Sequence, residues 1–351
     1  VISTPGGTRN DDASPPAPVR APNIRDVARL AGVSHQTVSR VLNGHASLRE
    51  TTRQKVVDAM EELQFRPNRA ARALVTSKSR TIGVLASNSS EYGPAASLQA
   101  IGTAARDAGY TLDTAYLETS DRPAIIDALD RLVGHAVEGL IILAPQSRSL
   151  DMIAELSITL PFVTVHSTGG LDDHRLSVDQ TAGAVLATRH LLELGHRRIV
   201  HVAGPDGWVE TAARQRGFQE EMTAWGVEPP PPVHGDWTAE SGYAAGRRIL
   251  CENDVTAVFS SNDQMALGVL HACRDAGLEV PGNLSVVGFD DIPEAAHYWP
   301  PLTTVRQDFA ELGRRCVALL VAALAGNAPE HPHDVLPELV VRQSTEPPRP
   351  G

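Results

Sequence analysis

The chain has 351 residues, 42% of them hydrophobic and 21% charged, with a formal net charge of −11. That length exceeds one ordinary domain, and the composition fits a folded soluble protein rather than a disordered or membrane one. The charge is unevenly divided: residues 23–80 sum to +6 and residues 81–351 to −17, so a small basic module, suited to a polyanion, precedes a large acidic one.

Residues 1–22 are rich in Pro, Gly, Ser and Asp, lack any apolar period, and are expected to form a disordered tail. Residues 23–66 read as a helix-turn-helix domain. Val27, Leu30 and Ala31 share one face of a first helix, Gly32 ends it, and Ser34 suits the cap of a second. Val38, Val41 and Leu42 make the inner face of that second helix. His35, Gln36, Ser39 and Arg40 occupy its start and outer face, the end that enters a major groove in this motif. Gln and Arg can make paired hydrogen bonds to adenine and guanine edges respectively. A third helix, Arg49 to Leu63, offers Val56, Val57, Met60 and Leu63 to close a three-helix core. A small helical domain with a solvated polar face would show the same pattern; the local positive charge favours DNA.

Residues 67–80 read as a hinge: Pro67 and Asn68, a short apolar-basic helix over Arg69–Val75, then a polar link. From residue 81 short apolar runs alternate with helical stretches. Strands are expected at Ile82–Ala86, Gly139–Leu143, Phe162–Val165, Ile199–Ala203, Ala257–Ser260 and Leu284–Phe289. Helices are expected at Ser97–Ala108, Thr181–Leu194, Ala212–Trp225, Gln264–Ala276 and Phe309–Leu324, several of them stopped by Gly. Alternation of this kind gives parallel sheets covered on both faces. The residues from 81 to 345 are enough for two α/β lobes facing each other across a cleft, with 346–351 as a tail.

Three segments carry a resemblance: Asp26-Val-Ala-Arg-Leu-Ala-Gly-Val-Ser34, Gln36-Thr-Val-Ser-Arg-Val-Leu-Asn43 and Arg66-Pro-Asn-Arg-Ala-Ala-Arg-Ala-Leu74. They are similar to the headpiece and hinge of the lactose/galactose repressor family. Ala203-Gly-Pro205, Gly235-Asp-Trp237, Ser261-Asn-Asp-Gln-Met-Ala-Leu-Gly268, Leu284–Asp291 and Pro300–Phe309 resemble the core of that family. The resemblance implies an α/β chain: a small all-α helix-turn-helix headpiece followed by a two-lobe, periplasmic-binding-protein-like core of parallel sheets. It implies DNA contacts at Ile24, Arg25, Ser34, His35, Gln36, Thr37, Ser39, Arg40, Asn43, Asn68 and Leu74. His35 and Gln36 fall on the base-reading positions, and Leu74 on the residue wedged into a minor-groove step. It implies effector contacts at Ser87, Tyr92, Arg214, Trp237, Asn262, Asp290 and Phe309, with Glu91 as a neighbour.

That set suits a sugar, because Arg donates, Asp accepts, Asn does both and an aromatic ring covers C–H groups. The expected partners are operator DNA, a small sugar such as a galactoside, glucoside or related saccharide, and a second copy of the chain. A hinge helix this short needs a partner to be stable, and the final residues, Pro347–Gly351, show no leucine heptads, so a homodimer is expected. Asp206-Gly-Trp208-Val-Glu210, His166 and Val178 depart from the family pattern and leave the sugar open, as they leave open whether it induces or corepresses. Asp263 reads as a helix cap rather than a ligand contact.

Catalysis is not expected. Asp290 and Asp291 are adjacent and point opposite ways at a strand end, and no nucleophile elbow, HExxH helix or phosphate loop occurs. No cofactor and no metal is expected. Cys251, Cys273 and Cys316 are far apart and read as buried thiols of a reducing compartment. The apolar run Cys316–Ala325 is about half the ~20 residues that span a bilayer. No secretion leader is evident, so a cytoplasmic, nucleoid-associated location is expected. The rival reading, a solute-binding protein of a transport system, shares the two-lobe design but has no helix-turn-helix.

Overall fold

The structure is a computed structural model describing residues 22–42, 48–66, 78–87, 91–117, 121–144, 146–156, 158–165, 175–251, 254–327 and 333–349. The chain divides into two compact units, Val1–Lys78 and Ser79–Gly351.

The first unit holds α1 (Ile24–Ala31), α2 (His35–Leu42) and α3 (Glu50–Glu62). Asn23 caps α1 in a reciprocal box: its side chain accepts from Arg25 N and Asp26 N, and the Asp26 carboxylate accepts from Asn23 N. Gly32 ends the helix at φ 65°, a left-handed position that costs glycine least. Ser34 Oγ then accepts from Thr37 N at 3.1 Å and starts α2. Val27, Ala28, Val38, Val41, Val56 and Ala59 form the buried core. Leu30, expected inside, is instead 43% exposed, and Ala28 takes the inner position.

The second unit carries two sheets. The first, in the order β2-β1-β3-β4-β5, is all parallel: β1 (Thr81–Ser87), β2 (Thr111–Leu117), β3 (Gly139–Leu143), β4 (Phe162–Val165) and β5 (Arg175–Leu176). Side chains alternate across it. Ile82, Val84, Ile141 and Val163 face one layer, while Leu85, Leu140 and Ile142 face another. Helices α4 (Tyr92–Asp107), α5 (Arg122–Gly134) and α6 (Ser147–Ala154) belong to this lobe.

The second sheet runs β11-β10-β9-β8-β6-β7: β6 (Ile199–Ala203), β7 (Val233–His234), β8 (Ala257–Ser260), β9 (Ser285–Asp290), β10 (Thr303–Arg306) and β11 (Glu338–Val340). β11 is antiparallel to β10, and the other pairings are parallel. Helices α7 (Gln180–Glu193) and α8 (Val209–Ala224) cover one face, and α9 (Ala239–Ile249) and α10 (Asp263–Asp275) the other.

The chain crosses between lobes three times. It leaves the first lobe at 177–179, returns at 307–308 into α11 (Phe309–Leu324), and leaves again at 334–337 to add β11. Helix α11 completes the first lobe: Phe309, Leu312, Cys316, Val317 and Leu320 join the layer of Ile82 and Val84. The first and third crossings are stitched side by side, Val335 N donating to Ser177 O and Asp179 N to Val335 O.

Three expectations are corrected here. Asn262, not Asp263, caps α10, accepting from Met265 N at 2.9 Å. Cys251 is exposed, whereas Cys273 and Cys316 are buried free thiols. Glu346–Arg349 is no loose tail: Glu346 O accepts from Ser285 Oγ at 3.0 Å, and Arg349 pairs with Glu279 at 3.1 Å. Among the described residues no helix is long and apolar enough to cross a membrane.

Candidate functional site

In the first unit, His35, Gln36 and Arg40 stand exposed on α2 and Arg25 on α1. Ser34, also exposed, is committed to the cap, and its Oγ lies 2.9 Å from Thr37 Oγ1. Thr37 and Ser39 are half-buried. Ile24 is half-buried and packs against the core. Asn43, Asn68 and Leu74 lie outside the described residues. The exposed face of α2 is therefore an imidazole and an amide on its first turn and a guanidinium on its last, a set able to read base edges.

In the second unit the chemistry gathers between the lobes, at the C-terminal ends of the strands, where open parallel sheets place ligands. Glu91, Tyr92, Gly93 and Pro94 come from the first lobe, and Trp208, Glu210, Arg214, Trp237, Asn262 and Asp290 from the second. Gln180 and Gln307 stand at the first two crossings. The cleft they line is small and partly open, with a volume of about 30 Å³. The lobes also touch at the rim: Ser147 N and Oγ both donate to Gly207 O, at 3.0 and 2.8 Å.

Arg214 is the centre. Its side chain is 5% exposed and lies 3.6 Å from Asp290 Oδ1. Nε donates to Gln180 Oε1 at 2.9 Å, and an Nη donates to Ser261 O. The guanidinium plane sits 3.9 Å over the Phe289 ring. Burial pulls its pKa down, and Asp290 and Glu210 push it back; a guanidinium stays charged regardless. Asp290 ends β9 at φ 107° and Asp291 follows at φ 53°, a non-glycine pair in sparsely allowed backbone of the kind found at functional sites. The two carboxylates part: Asp291 is clasped by Arg306 at 2.7 Å and Arg342 at 2.6 Å, away from the cleft.

Trp237, at φ 74°, forms a wall edge-on to Trp208 with ring centroids 5.5 Å apart. Its Nε1 is buried with no hydrogen-bond partner among the described residues, a donor ready for a ligand oxygen. Asn262 lines the cleft, yet its amide already serves the α10 cap and Trp237 O. Asp263 lies behind, accepting from Thr304 Oγ1 at 2.6 Å and Ile292 N at 2.9 Å. Burial raises its pKa well above the usual carboxylate range, and Asp290 adds to that. At the rim, burial and then Asp236 raise Glu91.

Two expected contacts stand apart from this cluster. Phe309 packs behind Tyr92, centroids 5.9 Å apart, and supports the wall rather than forming it. Ser87 lines a neighbouring cavity of about 270 Å³ with Leu98, Tyr116 and Leu143. Conversely, Gln180, Glu210 and Gln307 were not expected. Their signal is positional only: Gln180 follows the first crossing, Gln307 lies within the second, and Glu210 lies a helical turn before Arg214.

Beneath Arg214, His201 is fully buried, stacked on Phe259 at 4.8 Å, and shares a 2.8 Å hydrogen bond with Ser261 Oγ. Burial, then Arg214, lowers its pKa from 6.5 to about 3, so it is neutral in the fold. The unfolded chain takes the proton first, so stability is full above pH 6.5 and falls as the pH drops from there toward about 3. Burial lowers His190 and His196 in the same direction. Urea midpoints between pH 7 and 5 should decline, and less steeply in His201→Phe; equal slopes would refute a neutral buried His201.

Comparison with known proteins agrees with this architecture. Residues 23–68 match the bacterial regulatory proteins of the lacI family, and residues 188–345 match a periplasmic binding protein-like domain. The chain is 35% identical to the lactose operon repressor of Escherichia coli (strain K12) over 324 residues, 92% of this chain and 90% of that one. The crystal structure of the Lac repressor dimer bound to operator and the anti-inducer ONPF superposes with a TM-score of 0.83 at 34% identity, covering 93% of this chain and all of that one. The CelR–cellobiose complex gives a TM-score of 0.67 at 31% identity, over 92% of this chain and 99% of that one. With a helix-turn-helix unit, a two-lobe ligand-binding core and relatives matched over nearly their whole length, the chain belongs to the lacI family of bacterial DNA-binding transcriptional regulators.

Proposed function

We propose that the protein represses genes of carbohydrate utilisation and leaves its operator when a neutral saccharide closes the interlobe cleft. The observation that carries this reading is the buried Arg214–Asp290 pair beside the Trp237 ring, in a chain whose separate helical unit presents His35, Gln36 and Arg40. A charge pair beside an aromatic wall matches a pyranose, which offers vicinal hydroxyls and an apolar face. The protein acts as a homodimer on a pseudo-palindromic operator in the cytoplasm, without enzymatic activity. Ser87, Tyr92, Arg214, Trp237, Asn262, Asp290 and Phe309 remain the proposed effector set, with Ser87 and Phe309 in supporting places. The DNA set is Ile24, Arg25, Ser34, His35, Gln36, Thr37, Ser39, Arg40, Asn43, Asn68 and Leu74.

The test is an operator-binding titration with a panel of neutral mono- and disaccharides. Release by one of them supports induction, tighter binding reverses the sign to corepression, and no response to any sugar defeats the reading. Gln36→Ala is expected to change base preference at one operator position by about 1–3 kcal/mol. An equal loss on all sequences, measured across single-base operator variants, would reduce Gln36 to a backbone contact.

A further inference from the structure

We propose that Gln180 and Gln307 form a one-way hydrogen-bond relay that holds Arg214 and Asp290 in sugar-binding geometry and carries the state of the cleft to the lobe crossings. The proposal rests on the effector reading above. Arg214 Nε donates to Gln180 Oε1 at 2.9 Å, Gln180 Nε2 donates to Gln307 Oε1 at 2.7 Å, and Gln307 Nε2 donates to Asp290 Oδ1 at 2.7 Å. The ion pair of Asp290 with Arg214, 3.6 Å, closes the ring.

The direction of this ring is forced. A guanidinium has only donors and an ionised carboxylate only acceptors, so each amide can face one way alone. Turning either amide over would oppose two N–H groups or two oxygens. Gln180 and Gln307 are 2% and 6% exposed, so water cannot repair such a mismatch. Charge at one end and countercharge at the other polarise the two amides in the same sense.

The two glutamines also sit where the lobes are joined. Gln180 opens α7, directly after the first crossing, and Gln307 lies within the second. Arg214 and Asp290 are both in the second lobe, on α8 and β9. A sugar that engages that pair therefore acts on the ends of a chain whose middle link, Gln180 to Gln307, ties one crossing to another. The link joins the second-lobe ends of two crossings, so a change in how those crossings leave the second lobe would be felt there. A buried amide pair serving packing alone would have no reason to terminate on the two charged groups of the cleft.

The test uses the full-length chain and four variants: Gln180→Leu, Gln307→Leu, the double replacement, and Gln180→Glu. The last is isosteric and still accepts from Arg214 but cannot donate onward, so it cuts the relay at that one link, at the cost of a buried carboxylate facing Gln307 Oε1 that its urea midpoint will register. Each is titrated with lactose, cellobiose, methyl β-D-glucoside and methyl β-D-galactoside, reading thermal stabilisation and operator affinity. Without sugar, all four variants should bind operator within about threefold of the parent. The sugar-driven change in operator affinity should shrink at least tenfold in each, and the double variant should lose no more than either single one, as links of one chain do. Stabilisation of the parent by none of the four sugars would overturn the effector reading, and the relay with it. Sugar binding and operator release that survive in both single variants, or losses that simply add, would overturn the relay alone.

Discussion

Arg214→Ala is expected to abolish sugar-driven operator release while leaving operator binding in place. The substitution removes the donors to Gln180 and Ser261 and strands the Asp290 carboxylate in a buried site. Breaking such a pair from one side costs about 3–5 kcal/mol, because the remaining charge keeps its desolvation penalty. The core should therefore melt earlier, and on the proposed function the sugar loses its main donor. Arg214→Lys separates the two effects: it keeps the charge but not the planar fork that reaches Gln180 and Ser261 together. It should fold near normally and still lose roughly tenfold or more in sugar affinity. Retained release in Arg214→Ala, measured by operator titration with and without sugar, would remove Arg214 from the effector site.

Gly268→Ala is expected to be the most damaging small change in the second lobe. A methyl group there would collide with the backbone at Ala239 O and Tyr243 N, and one at Gly242 would strike Met265. The two glycines let α9 and α10 approach until their backbones touch. Neither helix can yield without disturbing Trp237 and Met265 beneath it. Overpacking against backbone costs about 3 kcal/mol or more. Urea unfolding should show the loss directly, and a midpoint equal to the parent's would mean that the helices are not in contact at this point. Gly242→Ala should act alike, and the pair together by less than the sum, since one displacement relieves both clashes.

The fold was largely legible because most elements announce themselves by composition. β1, β3 and β6 are short, almost wholly buried runs dominated by apolar residues, interrupted in β6 only by His201, which is how a strand covered on both faces reads. The edge strand β2, Thr111–Leu117, and the strand β10, Thr303–Arg306, were harder to see. Their threonines and charged ends serve hydrogen bonds and ion pairs rather than a continuous apolar layer. The headpiece showed its helices but not its exact core: Leu30 and Ala28 both fit an inward stripe, and only tertiary packing chose the smaller one. In the cleft, Arg214, Asp290, Trp237 and Tyr92 came from resemblance, and the structure gathers them around one cavity. Gln180 and Gln307 are 127 residues apart. No local pattern marks such a pair, because their partnership exists only once the chain has crossed between lobes.

Helix α11 has a consequence for how the protein is made. It covers the layer of the first lobe that holds Ile82, Val84 and Ile141, yet it is encoded after nearly all of the second lobe. On the ribosome, the first sheet must wait with one apolar face uncovered until Phe309–Leu324 has emerged. The helix-turn-helix unit, whose core is local, can fold early, long before any sensing body exists. A chain truncated ahead of residue 309 would thus be a DNA-reading head on an aggregation-prone stalk, and nonsense alleles in that region should resemble complete loss rather than permanent repression.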